Sequence, residues 1–360
     1  MPNFIDKLTL RVEEKAGALS ETLRREAEAR EEALRQLLAQ HWHELPSDLE
    51  ATDQRPAYAV DGSLRRANLA NGAYLFAAQA LLMGEDIEET AVEVEILRGS
   101  TPRASVERFA DLLLQRLEVG LACQCASQVP EGSVLFLDGA LYGQLPQLYP
   151  LTIEGVRYPL PDEILNAYLQ LFQHCCQRRI DLISIAKTSR EATHSKIWQR
   201  EAKVPIPLDI PDSEMIYRWT DSRAGYSTPV ILGTWGFTRG SRELLKREEL
   251  SRAPAIVSFF VRLSDFDDAV RVDLPATALG SDVRLGDVSG DILDLDRHDL
   301  RPVLQVLAAD YGGLEVYNAL LYTVDREVRL ERRMMRDVYL KLIGQKLGCE
   351  IRLDRSERRF

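Results

Sequence analysis

The sequence predicts an α/β fold in which helices flank a mixed sheet, with a long helical segment before the sheet and a helical region after it. Three observations lead to this class. Apolar and alternating runs follow one another from Ala57 to Arg98, helical and strand-like patterns alternate as far as Lys187, and helical patterns return from Leu300. A chain of 360 residues that is 45% hydrophobic can also bury a sizeable core.

The first predicted element is a helical segment over residues 1–50. Apolar residues fall there at three-and-four spacing between charged ones: Ile5, Leu8, Val12, Ala16, Leu19, Leu23, Leu34, Leu37 and Leu38. A helix this long and charged either packs along the body of the protein or pairs with another chain, and we expect packing together with a role in a dimer. The stretch ELPSDLEATDQRP then ends the helix with two prolines and polar residues.

Five strands and two helices are predicted between residues 57 and 187. AYAV, AYLFAAQALL and EETAVEVEILR favour three successive strands. A helix begins at Pro102, with Thr101 or Ser105 as its cap, and ends at about Ser127. The strand SVLFLD, the helix PDEILNAYLQLFQHCCQRR and the strand DLISIAK complete the set. Three strands, helix, strand, helix, strand is the order of a ribonuclease H-like fold.

The rest of the chain predicts an insertion and a C-terminal region. Residues 188–250 are polar and Pro-rich, which is typical of an irregular insertion or lid. APAIVSFFVRL and DAVRVDLP return to strand patterns, and RPVLQVLAADYG, GLEVYNALLYTVDREVRL and RRMMRDVYLKLIGQ favour helices. We therefore expect one domain over residues 55–335, followed by a C-terminal helix and basic tail over 336–360.

Composition limits the classes of function. No apolar run approaches the roughly 20 residues that cross a bilayer, and the charged N-terminus has no signal-peptide core, so a cytoplasmic location is expected. Five cysteines in C-x-C, C-C and single positions favour neither a disulfide framework nor a standard zinc site. The net charge of −11 argues against a protein that coats nucleic acid through its overall charge, although a local basic channel is compatible with it.

Two carboxylates follow apolar runs. In YAVDGS and VLFLDGAL, Asp61 and Asp138 each end a predicted strand and precede a glycine. At neighbouring strand ends the two side chains would repel each other unless a cation lies between them. Mg²⁺ and Mn²⁺ take oxygen ligands of this kind, and phosphate oxygens can complete their coordination for hydrolysis. Asp-Gly is also an ordinary turn signal.

A third acid and a lysine extend this group. Glu118 in LLLQRLEVGLA is the candidate acid on the helix, and Glu107 in ASVERFADLL is its rival, between which the helix register does not decide. Lys187 in LISIAKTSR ends the fifth predicted strand, where a lysine can stabilise the charge that builds on a phosphate.

A basic stretch begins at the same lysine. Residues 187–203 carry five cations around an aromatic residue, Trp198: Lys187, Arg190, Lys196, Arg200 and Lys203. Cations that meet phosphates and an aromatic ring that stacks on bases suit a track for single-stranded nucleic acid. A solvated surface loop would have the same composition.

In this order the motifs resemble the NurA nucleases. The similarity rests on YAVDGS, the helix with Glu118, VLFLDGAL, SIAKTS and GGLEVYNALLYTVDREV, from about Tyr58 to Leu330. The resemblance implies a ribonuclease H-like core and Mn²⁺-dependent (or Mg²⁺-dependent) 5′-to-3′ exonuclease and single-strand endonuclease activity. It also implies a homodimer that works with HerA, a hexameric ring ATPase, in resecting DNA ends for repair.

Carried over residue by residue, the resemblance implies metal-ligand roles for Asp61, Glu118 and Asp138 and a phosphate contact for Lys187. The family also uses a late ligand on the C-terminal helix, commonly a histidine. This chain has Asp325 in LLYTVDREV there. An aspartate can bind the same ion, but the change leaves metal preference open.

Two other functions fit parts of the pattern. An actin-like or sugar-kinase-like ATPase also follows strands with Asp and Gly, and LDGAL and ADYGG could be its phosphate and adenosine loops. Against it, the glycine follows Asp61 immediately, and no P-loop pattern is present. The third hypothesis is a non-catalytic dimeric platform that docks on a DNA motor.

Overall fold

The computed structural model describes residues 4–23, 28–49, 53, 55–202, 210–238, 241–355 and 357, with the backbone alone for 22, 23 and 28–31. The strands are β1 (Trp42–His43), β2 (Ala57–Asn68), β3 (Tyr74–Gly84), β4 (Glu88–Leu97), β5 (Val134–Asp138), β6 (Leu151–Ile153), β7 (Val156–Tyr158), β8 (Asp181–Ala186), β9 (Gly225–Ser227), β10 (Val230–Leu232), β11 (Ile256–Arg262), β12 (Val270–Pro275) and β13 (Gly290–Ile292).

The α-helices are α1 (Phe4–Glu14), α2 (Ala16–Leu23), α3 (Glu28–His41), α4 (Arg103–Cys125), α5 (Leu141–Gln144), α6 (Leu160–Arg178), α7 (Thr193–Ala202), α8 (Asp212–Trp219), α9 (Glu248–Ser251), α10 (Arg301–Ala309), α11 (Ala319–Val328), α12 (Arg332–Met334) and α13 (Leu340–Leu347). A π-helical turn, Met335–Tyr339, joins α12 to α13. None of the helices in the described ranges is long and apolar enough to cross a membrane.

One sheet of 11 strands organises the molecule, in the order β1-β9-β11-β12-β8-β5-β2-β3-β4, with β10 pairing with β11 and β13. Strands β2, β3 and β4 form an antiparallel meander, whereas β2, β5 and β8 are parallel neighbours. The central order β4-β3-β2-β5-β8 is that of the ribonuclease H-like fold, so the predicted fold class is confirmed. Antiparallel pairing of β12 with β8 then extends the sheet.

Helices cover both faces of the sheet. On one face, α4 and α6 bury apolar side chains such as Phe109 and Leu171 in a core shared with Val60 and Leu137 of the strands. On the other face, α10 and α11 pack against a second core that includes Phe136. Because the central strands are buried on both faces, they have nearly continuous apolar sequences.

The second strand is longer than the sequence indicated. Its apolar run stops before Asp61, yet β2 continues to Asn68 and stays paired with β3 from Tyr58 to that end. Beyond the aspartate, Leu64 is half-buried, Ala67 is buried, and Arg65 is exposed. The prediction that the strand ends at Asp61 is therefore wrong, because pairing with β3 continues where the apolar run does not.

The insertion is also more regular than predicted. Residues 188–250 contain α7, α8, β9, β10 and the start of α9, and the two strands pair with β11 of the main sheet. At the start of α4 the N-cap is Pro102 with no side-chain cap, so neither Thr101 nor Ser105 takes the predicted role.

The N-terminal segment divides into two parts. Leu34, Leu37 and Leu38 of α3 are buried in the core, and β1 pairs with β9. Residues 4–21, by contrast, are exposed along α1 and most of α2. Among the side chains of this segment that the structure describes, those of α3 and β1 pack on the body of the protein and those of residues 4–21 do not.

Candidate active site

Asp61 and Asp138 lie side by side on parallel strands. Val60 of β2 is opposite Leu137 of β5, so the two aspartates that follow are neighbours across the ladder. Asp138 is the last residue of β5, whereas Asp61 lies within β2. Side chains alternate along a strand, and Phe136, two residues before Asp138, is buried beneath α10 and α11. Both carboxylates therefore project on the face that α11 covers.

Their environment disfavours two negative charges. Burial and the charge of Asp138 raise the pKa of Asp61 to about 7, against a weaker lowering effect of its hydrogen bond from the Gly62 N–H. Burial also raises the pKa of Asp138, although Lys187 and the Gly139 N–H act in the opposite direction. Two charged acids on adjacent strands would repel each other, and a cation between them would relieve that repulsion.

Glu118 reaches this pair from the opposite face of the sheet. It lies on α4, and a Cβ on Gly62 would come 2.6 Å from its Oε1 and 2.7 Å from Leu114 Cδ1. Gly62 therefore leaves the space through which the glutamate approaches the strand. Burial, then the charges of Asp61 and Asp138, raise the pKa of Glu118 well above its ordinary value. The glycine after Asp61 is thus needed for close approach rather than for a turn.

The second Asp-Gly pair is a turn. Gly139 has φ +94°, a left-handed conformation that favours glycine, and its N–H donates to Asp138 Oδ1 and to the Ile185 carbonyl. The turn ends β5 at the level where Asp61 projects. In the first motif the glycine of Asp-Gly allows the close approach of a helix, and in the second motif it forms a turn.

Asp325 and Lys187 approach from two further elements. Asp325 lies on α11, which packs against β2, β3 and β5, and its charge raises the pKa of both Asp61 and Asp138. Lys187 follows β8, and its Nζ lies 3.5 Å from Asp138 Oδ2. Four acids from four different elements, and the lysine that directly follows β8, thus face one region.

Tyr317 belongs to the same group, and sequence reasoning missed it. Its hydroxyl lies 3.5 Å from Asp138 Oδ1, and Lys187 Nζ lies 5.0 Å from the centre of its ring. Burial and the charge of Asp138 raise the pKa of the phenol, so it stays a neutral donor. Asn318, whose side chain accepts from the Leu321 N–H, fixes the start of α11 directly after it. The only sequence signal was its position in the stretch that resembles NurA.

The helix register separates the two candidate glutamates. Glu107 is exposed in the first turns of α4 and pairs with Arg103 at 2.7 Å. Glu118, three turns later, is the one that meets Gly62. The structure therefore favours Glu118 over Glu107 as the acid on the helix.

Only some of the described side chains predicted to bind nucleic acid are exposed and free of structural contacts. Arg190 and Lys196 are exposed, but Trp198 is fully buried and stacks on His41 at 4.9 Å, so its predicted stacking on bases is wrong in this conformation. Arg200 pairs with Asp291 at 2.6 Å and donates to the Gly290 carbonyl, which makes it a structural link rather than a free cation. The predicted contribution of Lys203 lies outside the described residues.

The donor set suits a hard divalent ion, although its side chains are not gathered around a point. Among the described residues, no three His, Cys, Asp or Glu side chains form a group ready to hold a metal. Instead, Asp61 Oδ1 accepts from the Gly62 N–H, and Asp138 Oδ2 is paired with Lys187. All four acids offer oxygen, the ligand atom that Mg²⁺ and Mn²⁺ prefer, so the chemistry of the residues fits such an ion.

Comparison with known proteins decides the family. The NurA domain matches residues 55–330, most of the chain. The chain belongs to the NurA family. Among curated proteins no significant match is found.

Solved NurA structures share this fold. The crystal structure of the NurA nuclease from Sulfolobus solfataricus is 16% identical, with 97% of this chain and 98% of that chain covered and a TM-score of 0.60. A crystal structure of NurA bound to dAMP and manganese is 13% identical, with 92% and 97% covered and a TM-score of 0.59. At such identities the likeness shows the fold, and the predicted membership of the NurA family is confirmed by the domain match.

Proposed function

We propose that this NurA-family chain is a divalent-metal-dependent nuclease that hydrolyses DNA phosphodiesters. The observation that carries the proposal is the placement of Asp61 and Asp138 on adjacent parallel strands with Glu118 and Asp325 on either side. A relative with the same fold is named as a nuclease, and another was crystallised with dAMP and manganese, which supports both the substrate class and the ion.

The four acids are the proposed ligands of Mn²⁺ or Mg²⁺. When bound, such an ion would lower the pKa of a water ligand to supply a nucleophile and would offset charge on the leaving oxygen. Asp61 and Asp138 would have to rotate toward the ion from their present partners, and binding of the ion would favour the ionised form of Asp61. Relief of the repulsion between Asp61 and Asp138 favours that rearrangement.

Lys187 is the proposed phosphate contact. Its Nζ already lies beside Asp138, so a phosphate brought to the acids would be within reach of the ammonium group. The exposed Arg190 and Lys196 extend positive charge away from the site along the following segment. We assign these three cations to the path of the single strand or DNA end, in accordance with 5′-to-3′ exonuclease and single-strand endonuclease activity.

The proposed setting is a cytoplasmic homodimer that works with a HerA-type hexameric ATPase in DNA end resection or repair. Exposed apolar side chains on α1, among them Phe4, Ile5 and Leu8, support an association through the N-terminal segment. Membership of the NurA family supports the same partners.

The test is cleavage of end-labelled single-stranded DNA in Mn²⁺, Mg²⁺ and EDTA. Wild type should cleave with either ion and not in EDTA. Asp61→Asn and Asp138→Asn keep the side-chain shape and should lower the rate about 1,000-fold or more, because metal ions supply several kcal/mol to such reactions. The exposed Asp296→Asn is the matched control. Equal cleavage by the three variants, or cleavage in EDTA, would contradict the proposal. If the protein binds the ring ATPase but cleaves no DNA, it is instead a non-catalytic docking platform.

A further inference from the structure

A buried amide network lies next to the acids. Gln144 ends α5, and its Oε1 accepts hydrogen bonds from the Tyr168 hydroxyl at 2.8 Å and from Gln115 Nε2. Gln115 Nε2 also donates to the Tyr168 hydroxyl at 3.2 Å. Gln115 and Tyr168 are buried, whereas Gln144 is only half-buried. Two donors therefore hold the oxygen of the Gln144 amide on the protein side.

This orientation turns the Gln144 amide nitrogen toward the candidate active site. A Cβ placed on Gly139, the residue after Asp138, would lie 3.3 Å from Gln144 Nε2. Gln144 and Glu118 both line a groove of about 950 Å³ that runs along α4. Within the described ranges Nε2 has no hydrogen-bond acceptor, although it carries two N–H donors.

We propose that Gln144 is a substrate-binding residue whose Nε2 donates a hydrogen bond to a non-bridging phosphate oxygen of the DNA. The proposal rests on the nuclease function proposed above. A phosphate that enters among four carboxylates meets repulsion from any oxygen the metal does not neutralise. An uncharged donor can hold such an oxygen without pairing with the carboxylates as a lysine does, since Lys187 already lies 3.5 Å from Asp138 Oδ2.

The neighbours give Gln144 a fixed direction, which is what distinguishes a donor aimed at substrate from an amide that merely fills space. Tyr168 stays protonated because burial raises its pKa, so it continues to donate to Gln144. Removal of Gln115, which lies one turn before Glu118 on α4, should leave the Tyr168 hydroxyl to hold the amide oxygen, and it should therefore lower activity less than removal of Gln144 itself.

The first test is the steady-state cleavage of single-stranded DNA by Gln144→Ala in Mn²⁺. A hydrogen bond to a charged group predicts a decrease in kcat/KM of about 10- to 100-fold. Gln144→Glu, which keeps the acceptor oxygen for Tyr168 but replaces the N–H donors with a carboxylate oxygen, should lose at least as much. Gln128→Ala is the matched control, because Gln128 is exposed just after the end of α4 and does not line this groove. An unchanged kcat/KM in Gln144→Ala would overturn the proposal.

The second test separates substrate contact from a structural role. Substrates with one Rp or Sp phosphorothioate at the cleaved linkage replace one non-bridging oxygen by sulfur, a weaker hydrogen-bond acceptor. One diastereomer should slow wild type, and that slowing should nearly vanish in Gln144→Ala while the effect of the other diastereomer persists, as expected for groups in direct contact. Identical sulfur effects in wild type and variant would show that Gln144 does not touch the phosphate.

Failure of the nuclease proposal would give a different result. If wild type does not cleave DNA in Mn²⁺, the proposed function itself is wrong, and Gln144 loses its substrate. If wild type cleaves and Asp61→Asn does not, the function stands and the two tests above decide on Gln144 alone. Mn²⁺ binding measured by calorimetry should be the same for Gln144→Ala and wild type, and a loss of binding would assign the residue to support of the metal site instead.

Discussion

Asp61 shows how strongly one residue depends on its surroundings. The residue is 6% exposed, and burial and the charge of Asp138 raise the pKa of its carboxyl from 3.8 to about 7. The protein thus keeps a buried acid that is unfavourable in the folded state when no cation is bound. Such local instability is expected where function, rather than folding, selects a residue.

Asp61→Asn should stabilise the metal-free protein at pH 8. Because the folded pKa is raised, the wild-type carboxyl costs no stability below pH 3.8 and destabilises increasingly as pH rises toward 7. A shift of this size corresponds to at most about 4 kcal/mol. Urea unfolding in EDTA at pH 8 and pH 4 measures the difference, which should be large at pH 8 and nearly absent at pH 4.

The control for this prediction is Asp296→Asn, an exposed aspartate that should change stability little at either pH. Equal stability of Asp61→Asn and wild type at pH 8 would mean that the ionised Asp61 carboxyl does not destabilise the folded state. Adding Mn²⁺ should reverse the order, because the ion stabilises only the chain that binds it.

Residues differ in how far sequence could assign them. Asp61 and Asp138 could be found because each follows an apolar run, a local signal. Tyr317 could not, since its contact with Asp138 joins positions far apart in sequence. Trp198 was misassigned because its neighbours in sequence are cationic, whereas its burial depends on His41 from another helix.

At the level of elements, the crossing of α4 over β2 depends on one glycine. Gly62→Ala should displace Glu118 and Leu114, because the new Cβ would come within 3.0 Å of both side chains. The carboxylate is the mobile end of a flexible chain, so we expect a larger loss of DNA cleavage than of stability. Cleavage rate and urea midpoint, measured on the same preparation, give the comparison.

Gly120→Ala is the matched change on the helix. A Cβ at Gly120 meets no atom within 4 Å, and alanine in a helix interior is favoured over glycine by about 0.5–1 kcal/mol. This variant should therefore unfold at higher urea concentration with unchanged cleavage. If Gly62→Ala behaves in the same way, the close approach of Glu118 to β2 is not needed for activity.

Trp198 links α7 to α3. Trp198→Ala should lower the free energy of unfolding by about 3–5 kcal/mol, as for other large core residues. DNA affinity of the folded variant should stay near that of wild type, which fluorescence anisotropy with labelled single strands would measure. Weaker binding without loss of stability would restore the role in base stacking that the structure argues against.

Element predictions succeeded where the pattern was local and failed where pairing decided. The five central strands and α4 were recognisable from apolar runs and helical spacing. Glu107 and Glu118 could not be separated, because 11 residues bring a helix round to within about 20° of the same face while advancing about 16 Å. Only the position of α4 along β2 resolves that ambiguity.

At the scale of the whole molecule, we expect the exposed N-terminal helices to bind another protein chain rather than to stabilise the fold. Removal of residues 1–21 should leave the urea midpoint nearly unchanged, because the described residues of this stretch, 4–21, are exposed. The same deletion should abolish association with a second copy or with the ring ATPase. Light scattering and co-sedimentation measure both, and unchanged association would place the partner surface elsewhere.

The central claim is that Asp61 and Asp138 share a divalent ion that acts on DNA. Anomalous diffraction at the manganese edge, from crystals grown in Mn²⁺, tests it most directly. A peak bonded to oxygens of both aspartates is expected, and it should be lost in Asp61→Asn. A crystal saturated with Mn²⁺ that shows no peak between them, while the protein still cleaves DNA, would contradict it.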